Sequence, residues 1–140
     1  MKIIGLDEKE YSWIPSNNIV DTEKRSKPHE KAKILLKEVY PFDIILEEIV
    51  LPGTKTATRK STLKADFFIP ARRIMVEVHG QQHTEFNNFF FKNKMEFYKA
   101  KGRDKDKKRW CEINDIHLIE LMHDETIEDW RQKVCSQMKE

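Results

Sequence analysis

The sequence predicts an α/β domain in which a small mixed sheet, containing an antiparallel hairpin, is flanked by helices. Three observations carry this. An apolar helical stripe follows a capping Ser26, and three short apolar runs divided by turn residues fill positions 43–78. A long helical stretch then leads to a further apolar run at 117–122. Consecutive runs joined by tight turns pair antiparallel, whereas a strand reached through a helical crossover can pair parallel.

The elements follow in order. Residues 1–22 hold Pro15, Ser16, Asn17 and Asn18 and keep no sustained period, so they predict an irregular N-terminal arm with a short strand at 2–5; residues 23–140 form the single domain. Ser26 can cap a helix and Pro28 suits its first turn, while Ala32, Leu35, Leu36 and Val39 share one side up to Pro41. Residues 43–51 read as a strand closed by Pro52-Gly53, and 54–62, polar and basic, as a loop. Two strands at 64–69 and 74–78 are split by Pro70-Ala-Arg-Arg73 into a hairpin. The Phe-rich stretch 86–97 predicts a helix or packed loop. After Gly102 a separate helix runs from about Arg103 to Ile113, followed by the buried strand 117–122 in parallel pairing. Asp124 is the expected cap of a last helix with Ile127, Trp130, Val134 and Met138 on its apolar side.

Charged residues are 36% of the chain and apolar residues 39%, which suits a folded domain with a heavily charged surface rather than a disordered polymer. The net charge is only +2, but the charge is segregated. No acid interrupts the stretch that holds Lys55, Arg59, Lys60 and Lys64, and lysine and arginine dominate 92–109, whereas 112–129 turns acidic. A basic face on a nearly neutral protein is the footprint expected for a polyanion, although a solvated lysine-rich helix has the same composition. Cys111 and Cys135 lack a CxxC partner, which excludes a disulfide framework or structural zinc site and suits a reducing compartment. With neither a leader-like start nor an apolar run of about 18 residues, the expected location is cytoplasmic, in a bacterium or a phage-infected host cell, without membrane partners.

Asp66 and Glu77 each interrupt an apolar strand. Alternation places Glu77 and His79 on one face, and Asp66 on the neighbouring strand can point to the same edge. Carboxylates gathered this way raise each other's pKa unless a cation neutralises them, so a divalent metal held by Asp66 and Glu77 is the expected resolution. Such an ion suits phosphodiester hydrolysis, with His79 and His83 beside the Gly80 turn able to move a proton or contact phosphate. An ordinary surface Asp and Glu would look the same one at a time; it is their conjunction with VEVHGQQH that points to a site.

The segments Lys64-Ala-Asp-Phe-Phe-Ile-Pro70, Val76-Glu-Val-His-Gly-Gln-Gln-His83, and Arg103 to Glu112 followed by Ile116-His-Leu-Ile119 resemble the PD-(D/E)XK nuclease superfamily. They most resemble its branch of very-short-patch-repair (Vsr-like) and EDxHD homing endonucleases, over roughly residues 26 to 122. The resemblance implies a restriction-endonuclease-like core and a Mg2+-dependent (or Mn2+-dependent) endodeoxyribonuclease. It matches Glu30 to the acid of the first helix, Asp66 to the metal-binding aspartate, His83 to the active-site histidine with Gln82 beside it, and Asp104 to a supporting aspartate. Glu77 stands where the superfamily has its second acid, and His79 where it usually has lysine. Lys55, Arg59, Lys60, Lys64, Lys105, Lys107 and Lys108 are the expected phosphate contacts. With little room for a sequence-reading module, selectivity should be weak, structure-directed, or supplied by a protein partner or dimer. A non-catalytic nucleic-acid-binding module and an RNA nuclease are the alternatives.

Overall fold

The computed structural model describes residues 1–17, 26–80 and 94–136. Strands β3 (Leu46–Leu51), β4 (Leu63–Ile69), β5 (Ile74–His79) and β6 (His117–Met122) form a four-stranded sheet in that order. β3–β4 and β4–β5 are antiparallel, and β5–β6 is parallel across helix α2 (Lys94–Ile113). The mixed sheet, its antiparallel hairpin and its helical flanks are therefore as the sequence predicts. The hairpin turns through a 3-10 segment, Pro70–Arg72, and closes on Arg73 in the left-handed region at φ 52°.

The sheet is the middle layer. Helix α1 (Lys27–Val39) and helix α3 (Ile127–Cys135) cover one side, where Leu35, Leu36, Trp130 and Val134 meet Phe67, Ile69, Ile74, Val76, Ile119 and Leu121. On the other side Trp110 and Cys111 of α2 pack with Leu51, Leu63, Phe68 and Met75. Ser26 caps α1, accepting from the His29 amide at 3.2 Å, with proline in the first turn.

Three elements differ from expectation. The short strand expected at 2–5 is present as β1 (Lys2–Ile4), but over residues 1–17 the rest is less irregular than expected: β2 (Glu10–Ser12) pairs with it in an antiparallel ribbon, and Ile3 and Trp13 are buried in the α2-side core. Asn114 holds the ribbon, its side-chain amide accepting from the Ile4 nitrogen at 2.7 Å and donating to the Ile4 oxygen at 2.9 Å. Helix α2 runs unbroken through Gly102, because an exposed glycine weakens a helix by about 1 kcal/mol without obliging it to end. Thr126, not Asp124, caps α3, in a reciprocal capping box with Asp129 that satisfies two end groups at once. The segments 81–93 and 137–140, with part of the Phe-rich stretch and Met138, lie outside the described residues. Among the described residues no helix is long and apolar enough to cross a membrane.

Candidate functional site

The β4–β5 ladder pairs Ile69 with Ile74, Phe68 with Met75 and Phe67 with Val76, and stops there. β4 nevertheless remains paired to β3 as far as Leu63, and β5 to β6 as far as His79. The sheet thus parts at the level of Asp66 and Glu77. The Asp66 carboxylate takes the place of the lost main-chain partner, Oδ2 accepting from the Val78 amide at 2.8 Å. Such a charge-assisted bond fixes the aspartate at the fork.

Glu48 stands opposite Asp66 on β3, between the pairs Glu47–Phe67 and Ile49–Ala65. Its φ is 51°, a left-handed conformation costing a non-glycine residue roughly 1–2 kcal/mol. The twist breaks the strand's alternation, so that Leu46, Ile49 and Leu51 all enter the same core cluster. Local strain of this kind collects at functional sites. Here it sends two adjacent acids into one region. Glu47 meets His29 and Lys33, while Glu48, Asp66 and His29 each bring a ligand-capable atom within 4.8 Å of the others.

His29 is nearly buried and stacks on Phe67 with ring centroids 4.4 Å apart. Its Nε2 lies 3.1 Å from Glu47 Oε1, and its Nδ1 faces Asp66 Oδ1 at 3.9 Å. Burial raises the Glu48 carboxyl above its ordinary range, and the Asp66 charge raises it further against the opposing pull of His29, Lys64 and Lys107.

On the far side of the fork, Glu77 is buried and its carboxyl is held well above the usual range, first by burial and next by Asp66. Lys107 of α2 opposes this, with Nζ 3.1 Å from Oε1, though that oxygen receives no well-aligned hydrogen bond. His79, also buried, places Nε2 3.2 Å from Glu120 Oε1, and Lys108 reaches the other Glu120 oxygen at 3.7 Å.

The structure brings Asp66 and Glu77 together at one fork, as their strand positions imply, but the residues grouped with Asp66 are Glu48 and His29. Glu30 is half-buried beside His29 in the first turn of α1, and Asp104 is half-buried on α2, one turn before Lys107. Gln82 and His83 lie outside the described residues. Of the basic residues, Lys55, Lys60, Lys64, Lys105 and Lys108 are exposed. Two are engaged inside the protein instead. Arg59 donates to Asp106 at 3.0 Å and to the Thr54 carbonyl at 2.7 Å, and Lys107 is paired with Glu77. Glu48 and His29 were not among the sequence-derived site residues, yet the Glu47-Glu48 pair interrupts an apolar strand just as Asp66 does.

A cavity of about 350 Å3 at the opposite end of β5 and β6 is lined by Arg73, Cys111, Asp115 and His117. The Arg73 guanidinium there is occupied by the Asn114 and Asp115 carbonyls, so the cavity adds nothing to the carboxylate site.

The chain is similar to uncharacterized protein 033L of Invertebrate iridescent virus 3, 39% identical over 61 residues, covering 44% of this chain and 31% of that protein. It is also similar to uncharacterized protein 307L of Invertebrate iridescent virus 6, 35% identical over 78 residues, 56% of this chain and 39% of the relative. The chain therefore spans well under half the length of these relatives. No family model and no solved structure matches it.

Proposed function

We propose that this chain is a metal-dependent DNA endonuclease with a restriction-endonuclease-like core, akin to the Vsr-like and EDxHD branch of the PD-(D/E)XK nucleases. The observation that carries the reading is the fork between β4 and β5, where Glu48, Asp66 and Glu77 converge with Lys107 at their back. Carboxylates crowded this closely favour a bound cation, and the Glu48 carboxyl, raised first by burial and next by the Asp66 charge, is one that a cation would return to its ionised form. The donors fit a divalent ion such as Mg2+ or Mn2+, with Asp66 and Glu48 as the carboxylate ligands. Such an ion, when bound, polarises a phosphoryl oxygen and orients water.

The protein's own groups supply the rest. The Val78 amide holds Asp66 in place, and Lys107 keeps Glu77 at the fork without a second free negative charge. His79, steadied by Glu120 at the fork end of β5, is the imidazole placed to hold or move a proton there. Exposed Lys64, two residues from Asp66 on the same strand, joins Lys60 and Lys105 as a phosphate contact. Sequence selectivity is weak, structure-directed or supplied by a partner, and the enzyme works in the reducing cytoplasm, where its free cysteines remain thiols.

The test is to incubate the purified chain with supercoiled, linear, branched and single-stranded DNA, with Mg2+, Mn2+ or chelator. Metal-dependent cleavage that is lost in Asp66→Ala is expected. DNA binding without cleavage on every substrate would favour a non-catalytic binding module, and cleavage of RNA alone would move the substrate class.

A further inference from the structure

We infer that His29 is a nitrogen ligand of the cation site, oriented by Glu47, and that the site consequently selects a first-row transition dication over Mg2+. This rests on the reading of the Glu48–Asp66 cluster as a cation site and adds to it the ion's identity.

The geometry begins with Glu47. One of its oxygens lies 3.1 Å from His29 Nε2, and the other is held by Lys33 Nζ at 2.9 Å. A carboxylate anchored by an ammonium accepts a proton-bearing nitrogen, so Nε2 carries the hydrogen and the Nδ1 lone pair is left to face the cluster. This is the arrangement in which a metal-ligating histidine donates its other ring N–H to a carboxylate, which fixes tautomer and ring orientation and raises ligand basicity. Phe67 stacks on the ring and prevents it from turning away.

Distances agree with ligation. Ligand bonds of roughly 2.0–2.2 Å keep two donors on one small cation about 3 to 4.4 Å apart. The His29 Nδ1 to Asp66 Oδ1 separation of 3.9 Å falls inside that range, and Glu48 joins the same group. The donor types decide the ion. Mg2+ favours oxygen alone and gives up its waters reluctantly, whereas an imidazole nitrogen suits the softer transition dications. Glu48, turned by its left-handed backbone, adds a second carboxylate to the same group.

Mn2+ and Mg2+, each added alone to the metal-free chain, test this by calorimetry, with pulsed electron paramagnetic resonance of the Mn2+ form reading directly bonded nitrogen. Expected are tighter binding of Mn2+ than of Mg2+ and a nitrogen coupling of imidazole type in the unaltered protein. His29→Gln should erase that coupling and weaken Mn2+ by about 10- to 100-fold while shifting Mg2+ little, and Glu47→Gln should weaken Mn2+ by about tenfold with the coupling kept. Mn2+ bound with no nitrogen coupling, or His29→Gln weakening both ions equally, would overturn the ligand assignment and leave the cation site standing. If neither ion binds the unaltered chain, the cation site itself falls and the proposed activity with it. The resonance measurement needs no variant, so a failure of His29→Gln to fold does not blunt the test.

Discussion

The two sides of the β4–β5 fork solve one electrostatic problem differently. On the β5–β6 side each inward carboxylate has a cation of its own: Lys107 for Glu77, His79 and Lys108 for Glu120, Lys133 for Glu125. On the β3–β4 side Glu47 takes Lys33 and His29, and Glu48 and Asp66 gather at the same imidazole, with Lys64 and Lys107 acting on Glu48. Carboxylates paired one to one with cations stiffen and position; carboxylates gathered on one ring nitrogen present several ligand atoms to one point. In the proposed function the first side is the scaffold of the site and the second its receiving half.

The largest effect that would break this contrast is at Asp66. Asp66→Ala should reduce metal-dependent cleavage by at least about a thousandfold with the thermal melt nearly unchanged, because the side chain is partly exposed and replaces only one strand hydrogen bond. Glu48→Gln should follow it closely. Single-turnover cleavage beside a melting curve separates chemistry from folding. If Glu48→Gln leaves cleavage intact, the receiving half is misassigned.

Glu77→Gln sharpens the contrast through pH. Burial raises the Glu77 carboxyl in the folded protein, so the native state holds its proton more tightly than the unfolded chain does. The sign follows: native stability falls as pH rises above the ordinary glutamate value near 4.3, and keeps falling until the raised folded value is passed. Removing the ionisable group should make the chelated protein melt higher at pH 8 and leave it nearly unchanged at pH 4, while cleavage falls by about a hundredfold or more. A variant equally stable at both pH values relative to the parent would show that Lys107 fully offsets the burial.

Much of this was legible in sequence, for reasons that differ by residue. The α1 cap, the three antiparallel strands and the parallel β6 follow from local patterns that tertiary packing did not override. Asp66 and Glu77 showed as polar breaks in apolar runs. Glu48 escaped because its position depends on a left-handed backbone that strand periodicity does not encode, and His29 because a histidine in a first helical turn gives no sign of what lies across the sheet. Lys107 and Arg59 counted as surface charges, since sequence cannot tell a lysine turned inward from one facing water. The N-terminal ribbon is held by Asn114, more than a hundred residues away, a pairing no local pattern reveals.

The basic surface divides along the same line. Neutralising Lys60, Lys64 or Lys105 should weaken binding to all DNA sequences and flatten the slope of log affinity against log salt by roughly 0.9 per lost contact for duplex DNA. Arg59→Ala should leave that slope unchanged and lower the melting temperature instead, since its guanidinium joins the 54–59 loop to Asp106 of α2. Affinity titrations between about 50 and 200 mM salt distinguish them. An unaltered slope for all three lysines would make them a solvated face.

The smallest effect expected is at Gly102. It lies in the interior of α2, five residues before Lys107, and a methyl group built there meets nothing within 4 Å. Its backbone is not in the left-handed region, so alanine fits without strain. Gly102→Ala should stabilise the protein by about 0.5–1 kcal/mol, through the lower entropy of the unfolded chain and the better helix propensity of alanine. Because the added methyl group touches nothing and Lys107 lies more than a helical turn away, the same change should leave Mn2+ affinity at the Glu48–Asp66 cluster unaltered. Denaturant unfolding and metal titration of one sample read both quantities. A gain in stability accompanied by a change in metal affinity would mean that the two sides are mechanically coupled through α2, and the division drawn at the fork would have to be redrawn there.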